Sequence, residues 1–218
     1  MLSFPLSKIR NVLCLGAHAD DIEIGCGGTM LKLRESNPEL NASWIVLSSD
    51  PVRKREAIES AKKFLDADSQ PNIQIKEFPD RYFPAAWGEI KDYFADLASE
   101  LSGHRMPDLI FTHRLDDCHQ DHRVVSELTF NAFRNHLILQ YEIPKYDGDL
   151  GQPNVFVSLT PDMVKRKTRT IVSSFPSQHD HHWFEEETFR SLSRIRGLES
   201  NSPTRYAEGF YSRKLSLG

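Results

Sequence analysis

Two short stretches of the chain concentrate the side chains that can hold metals and move protons. These are Ala17-His18-Ala19-Asp20-Asp21 and Asp117-Cys118-His119-Gln120-Asp121-His122. Imidazole and carboxylate together suit zinc, whose catalytic sites use three protein ligands and keep a further position for water. One such set would take His18, one of Asp20 and Asp21, and one of His119 and His122. The aspartate and histidine left over are what a hydrolase needs. A carboxylate can take the proton from an attacking water, and an imidazole can support an oxyanion or protonate a leaving amine. Spacing leaves open which aspartate and which histidine bind the metal. Alone, the first stretch is more often a solvated turn whose aspartates satisfy backbone donors, and the second more often a surface feature. The conjunction of the two points to a site.

The elements around them explain how they could meet. Residues 12–15 form an apolar run of strand length closed by Gly16, and residues 107–112 form another, so each polar cluster stands at the far end of a strand. Periodicity predicts helices over 29–34, 53–65, 86–101 and 123–135, and further strands at 44–47, 72–78, 137–143 and 155–159. Thr160-Pro161 has the form of a helix cap followed by a first-turn proline, and Glu185, Glu186 and Glu187 open a last helix over 184–196. Strand, turn and helix alternate through the first 135 residues, which predicts an α/β fold with a mostly parallel central sheet between two helical layers. Adjacent parallel strands would deliver both turns to one edge, where ligands bind in open α/β sheets.

Composition narrows the classes. The 218 residues suffice for a full core, and no linker, repeat or low-complexity tract divides them, so a single domain over 1–218 is expected. A formal net charge of −4 and the lack of any Lys/Arg run argue against nucleic acid as a partner. No apolar stretch approaches the roughly 18 residues of a membrane span, and residues 1–10 carry no secretory apolar region. Three cysteines, Cys14, Cys26 and Cys118, suit reduced thiols in a cytoplasm. Gly25-Cys26-Gly27-Gly28 departs from a dinucleotide fingerprint at Met30, where the third glycine belongs.

Three segments together, Ala17-His18-Ala19-Asp20-Asp21-Ile22, Gly25-Cys26-Gly27-Gly28-Thr29 and His119-Gln120-Asp121-His122, resemble the signatures of the PIG-L/LmbE-like family of zinc-dependent N-acetylglucosaminyl deacetylases, with weaker similarity at Glu208-Gly209-Phe210. The resemblance implies a Rossmann-like three-layer sandwich and a Zn2+ cofactor held by His18, Asp21 and His122. It implies Asp20 as general base, His119 as the protonated partner of the oxyanion and leaving amine, and Asp121 as the aspartate that holds a histidine in its charge state. Ala19 and Ile22 depart from the family's proline and glutamate.

The expected activity is therefore removal of an acetyl group from an N-acetylated amino sugar or its conjugate. The alternatives are a zinc amidohydrolase acting on a non-sugar N-acyl group, or a silent sugar- or nucleotide-binding domain. Arg53, at the start of its helix, and Glu142, in Tyr141-Glu142-Ile143-Pro144, are candidate substrate contacts, with a solvated helix face and a strand-end salt bridge as their duller readings. His179-Asp180-His181-His182-Trp183 reads as a solvated turn with Trp183 on a pocket rim. Trp87, Trp183 and Arg81-Tyr82-Phe83-Pro84 are candidates for a pocket wall or for a contact in a homo-oligomer.

Overall fold

The computed structural model describes residues 5–65 and 71–216. Residues 1–4, part of the N-terminal segment considered above, lie outside these. Seven strands form one sheet: β1 (Asn11–His18), β2 (Asn41–Ser48), β3 (Asn72–Ile75), β4 (Leu109–His113), β5 (Leu137–Tyr141), β6 (Val155–Leu159) and β7 (Tyr206–Tyr211). Their order is β3-β2-β1-β4-β5-β7-β6, with β7 antiparallel to both of its neighbours and the other pairings parallel. The helices are α1 (Asp21–Ser36), α2 (Pro51–Leu65), α3 (Trp87–Glu100), α4 (Gln120–Ala132), α5 (Pro161–Ser174) and α6 (Glu186–Glu199).

The central strand shows why the sheet needs two covering layers. Successive side chains of a strand point to opposite faces, so Val12 and Cys14 of β1 join a core with α1, α2 and α5, while Leu13, Leu15 and Ala17 join a second core with α3 and α4. Both faces are buried, which is why the run is continuously apolar rather than alternating. This is the expected three-layer α/β architecture, with β1 and β4 adjacent and both polar clusters at the carboxyl edge.

Three boundaries differ in informative ways. The first helix begins at Asp21, not at residue 29, so Gly25, Gly27 and Gly28 are helical rather than a turn. Their glycines serve close packing: a Cβ at Gly25 would collide with the ring of Tyr141, and one at Gly28 would stand 2.8 Å from Glu208 Oε1. The strand β7 carries Glu208 and Gly209 in its middle, which hid it from a pattern search. The helix expected over 123–135 starts at Gln120, so His122 lies inside its first turn.

Glu208, the residue of the weak C-terminal similarity, acts on α1 directly. Gly28 N–H and Thr29 N–H donate to its two carboxylate oxygens at 2.8 and 2.6 Å, and Lys167 Nζ bridges Glu208 Oε1 and Ile24 O at 2.6 Å each. A buried ion pair thus intercepts the helix ladder between Ile24 and Gly28, fixing the turn of α1 that leads from the site.

Candidate metal centre

The site is built at the ends of β1 and β4. Between β1 and α1 the chain turns sharply at Asp20, whose φ of 95° is left-handed, a conformation aspartate tolerates better than most residues. The turn folds Asp21 back on the strand end, where His18 N–H donates to Asp21 Oδ2 at 2.7 Å. His119 caps α4 and His122 projects from its first turn.

Acceptor atoms of three residues converge, Asp21 facing the pair of imidazoles through both of its oxygens. His122 Nε2 lies 3.3 Å from His18 Nδ1 and 3.6 Å from Asp21 Oδ1, and His18 Nδ1 lies 3.4 Å from Asp21 Oδ2. Ligands on a tetrahedral zinc with bonds of about 2.0–2.1 Å would stand roughly 3.3 Å apart. When both rings are neutral, their partners leave one lone pair of each facing this centre. His122 Nδ1 is bound at 3.0 Å to Asp117 Oδ2, and His18 Nε2 stands 3.2 Å from Asp121 Oδ2 and 3.1 Å from Asp80 Oδ1. With those nitrogens donating, His122 Nε2 and His18 Nδ1 are left as acceptors. Two imidazole lone pairs and a carboxylate aimed at one point fit a divalent cation, and carboxylates behind each histidine are the usual outer support.

Histidine 119 differs in its tautomer. Its Nδ1 accepts the Asp121 N–H at 3.3 Å, so its Nε2 carries the hydrogen and offers a donor to the site. The two histidines thus differ in which ring nitrogen each has already committed. His113, absent from the sequence reading, is fully buried and stacks on His122 at 3.9 Å. Its Nε2 accepts the Ala17 N–H at 2.9 Å and lies 3.2 Å from Asp21 Oδ2, so that His113, Asp21 and His122 form a second cluster able to hold a cation beside His18, His119 and His122.

Electrostatics at the centre favour a cation. Burial alone would lower the imidazole pKa of His18, but hydrogen bonds to Asp121, Asp21 and Asp80 outweigh it and hold the ring well above its usual value, so without an ion the ring takes a second proton that a bound metal would displace from Nδ1. Burial would likewise raise Asp21, yet the imidazoles of His122 and His113 keep that carboxyl well below its ordinary range. His122 is pushed down to about 3 by burial and by His113, so its ring stays neutral, as a ligand must. Burial raises Asp20 to about 7 against the pull of Arg53, placing it where a general base is useful.

The remaining predicted residues fall in distinct places. Asp121 is at the site, but the histidine it holds is His18, while its two oxygens also accept Arg81 N–H and Phe83 N–H at 2.6 and 3.1 Å. Arg53 is at the site as well, and its Nη2 sits 2.9 Å from Asp20 Oδ2 and bonds Ala19 O. Glu142 stands outside the candidate cation clusters. Arg196 Nε and Nη2, Tyr211 OH and Gly151 N–H use both its oxygens in a buried network, so the salt bridge is the reading that holds. Of the 179–183 turn, His179 Nε2 is tied to Val172 O at 2.8 Å and the segment contributes no cation ligand. Asp117 and Asp80 were not assigned roles from sequence. Asp117 lies five residues before His122, a spacing that could have flagged it; Asp80 arrives from a separate loop and had no local signal.

Fold and site together define a Rossmann-like α/β protein with a candidate cation centre at the carboxyl edge of its sheet. The chain belongs to the PIG-L family, described as GlcNAc-PI de-N-acetylase, whose model matches residues 13–133. It is 27% identical over 233 residues to the diacetylchitobiose deacetylase of Thermococcus kodakarensis, covering 94% of this chain and 84% of that protein. Among solved structures it is similar to the N,N'-diacetylchitobiose deacetylase of Pyrococcus horikoshii, with a TM-score of 0.71, 23% identity, and coverage of 97% of this chain and 86% of that one. It shares its fold equally with the 4-carboxy-2-hydroxymuconate hydratase GalB of Pseudomonas putida KT2440, at a TM-score of 0.68, 14% identity, and coverage of 96% and 98%. Fold alone therefore does not choose the reaction, and the side chains must.

Proposed function

We propose that this chain, working as a single domain, is a zinc-dependent hydrolase that removes the acetyl group from an N-acetylated amino sugar or its conjugate, releasing acetate and a free amine. The observation that carries the reading is the arrangement of His18, Asp21 and His122, whose imidazole nitrogens lie 3.3 Å apart and 3.4–3.6 Å from one or the other Asp21 oxygen, flanked by a carboxylate and an imidazole N–H donor. The deacetylase relatives support the choice of an N-acetyl sugar. The three free thiols, Cys14, Cys26 and Cys118, support a reducing cytoplasm as the compartment. No helix among the described residues is long and apolar enough to cross a membrane.

His18, Asp21 and His122 would hold the ion, which when bound supplies Lewis acidity towards the acyl oxygen and acidifies water. Asp20 takes a proton from the attacking water. Arg53, 2.9 Å away, keeps that carboxylate oriented and partly offsets the cost of its burial. His119 Nε2–H donates to the oxygen that gains negative charge as water adds to the carbonyl carbon. When the C–N bond breaks, the proton held by Asp20 passes to the departing nitrogen. Asp121 and Asp117 hold the His18 and His122 rings in the tautomers described above.

Acetate release measured across a panel of N-acetyl sugars and N-acyl amino acids, with protein loaded with zinc, tests this. An N-acetyl sugar should be turned over, and Asp20→Asn should lower kcat by roughly 10²–10⁴-fold while binding zinc with near-parental affinity. Turnover of acyl amino acids alone would remove the sugar assignment. A wild-type protein that binds no divalent metal would remove the mechanism.

A further inference from the structure

The loop after β5 carries a lysine whose charge is shared between two carboxylates. Lys145 Nζ lies 2.6 Å from each oxygen of Asp149 and 3.0 Å from Oδ1 of Asp117. All three side chains are sheltered, with 11%, 10% and 2% of their surface exposed for Lys145, Asp149 and Asp117. A lysine and an aspartate four residues apart could serve only to staple their own loop. Here both also reach across to the turn that leads into α4, Lys145 through Asp117 and Asp149 through its Oδ2, which accepts the Cys118 N–H at 2.7 Å. Asp117 in turn spends its second oxygen on a proposed metal ligand. Its Oδ2 holds His122 Nδ1 at 3.0 Å, while its Oδ1 receives the His119 N–H at 2.8 Å as well as Lys145. Asp149, Lys145, Asp117 and His122 thus form one line of contacts that runs from the β5–β6 loop to the centre.

We infer that Lys145 and Asp149 are positioning residues that set how strongly His122 donates to the ion, by dividing one positive charge between two carboxylates. A carboxylate behind a ligating imidazole raises the basicity of that ligand. A cation on the same carboxylate draws charge away from its bond to the ring and weakens the effect. Asp149 competes for that cation, and its contacts are the shorter ones, so the larger share of the ammonium charge is turned away from Asp117. Because little water reaches the three groups, the division is only weakly screened. The inference rests on the proposed reading of His122 as a ligand. Removing the cation should tighten metal binding, and removing the competing anion should weaken it. Loss of a mere staple would loosen the turn and weaken binding in both cases.

Competition of each protein against a zinc chelator, at one pH and ionic strength, measures this. Lys145→Met should lower the zinc Kd by roughly three- to tenfold and Asp149→Asn should raise it by a similar factor, while Lys145→Arg, which keeps the charge, should stay near the parent. Placed in the Asp117→Asn protein, either change should move Kd by no more than about twofold, since the line is then cut between Lys145 and His122. Weaker binding in both single variants would make the pair a staple and overturn the proposal, as would shifts that persist undiminished without the Asp117 charge. If Lys145→Met does not fold, the Asp149→Asn shift and its disappearance in the Asp117→Asn background decide alone. A wild-type protein that takes up no zinc removes the reading of His122 as a ligand, and this proposal with it. A wild type that binds zinc beside variants that do not split in opposite directions removes only the tuning by Lys145 and Asp149.

Discussion

Two of the places where the molecule buries charge are built on opposite rules. In the network under β5 and β7, every acceptor has a donor. Arg196 grips Glu142 through two nitrogens at 2.9 Å each, reaches Glu199 at 2.7 and 2.9 Å, and bonds Gly151 O at 3.0 Å, while Tyr211 OH adds a 2.6 Å bond to Glu142. At the β1/β4 centre, once His18 is neutral, acceptors face acceptors: His18 Nδ1, His122 Nε2 and Asp21 point at one another. Buried polar groups are ordinarily paired. A satisfied network is architecture, and a convergence of lone pairs calls for a cation from outside the chain.

Replacing a proposed ligand attacks that contrast where it is largest. His122→Ala should abolish stoichiometric zinc uptake and lower deacetylation by on the order of 10⁴-fold, while the fold persists because the rest of the sheet and both cores are untouched. Metal content by elemental analysis and acetate release, read together, check it. Full metal retention in that variant would mean that the lone-pair argument had picked the wrong histidine.

The converse change should cost stability and not chemistry. Arg196→Met leaves Glu142 buried without its cation, a class of change worth about 3–5 kcal/mol, or a fall in Tm of roughly 10 °C for a chain of this size. Zinc affinity of the folded variant should match the parent. A thermal melt beside a chelator competition makes the comparison, and an Arg196→Met protein with parental Tm but weakened zinc binding would reverse the roles given to the two clusters.

Asp117 joins the two regimes, since it is a satisfied carboxylate that serves the unsatisfied centre. It binds His122 Nδ1 at 3.0 Å, accepts His119 N–H at 2.8 Å and faces Lys145 at 3.0 Å. Although burial would raise it, His122 and its other neighbours hold the carboxyl well below the usual range. Asp117→Asn should weaken zinc binding by about 10- to 100-fold, measured by chelator competition, with a smaller effect on the thermal melt than Arg196→Met.

Much of this was legible in the sequence, for reasons that also explain the gaps. The strand-end clusters and their meeting followed from apolar runs and parallel topology, because each run is short, continuous and closed by polar residues. Glu142 and β7 were not resolved, since Glu142 meets its partners 54 to 69 residues away and a glutamate just past a strand end gives no hint of which arginine it meets. The division of labour between His119 and His122 was also hidden. It depends on whether a ring nitrogen finds an amide or a carboxylate, and that is set by the first turn of α4 and not by the three-residue spacing.

Glu23 is the test case between the two regimes, a fully buried carboxyl in the first turn of α1 with no cation paired to it among the described residues. Burial pushes its pKa from 4.5 up to about 8, so the folded protein keeps it protonated at neutral pH. Because the folded-state value lies above the unfolded one, its contribution to stability is fully present below about 4.5 and is lost as pH rises through about 8. Glu23→Gln mimics the protonated form. It should leave Tm nearly unchanged at pH 5 and make the protein more stable than the parent at pH 9, flattening the alkaline side of the stability profile. Thermal melts across that range, on protein with metal removed by chelator so that zinc linkage does not intrude, measure the difference. Parallel profiles for the two proteins would show that Glu23 is ionised and compensated in the fold, which would place it with Glu142 among the satisfied charges.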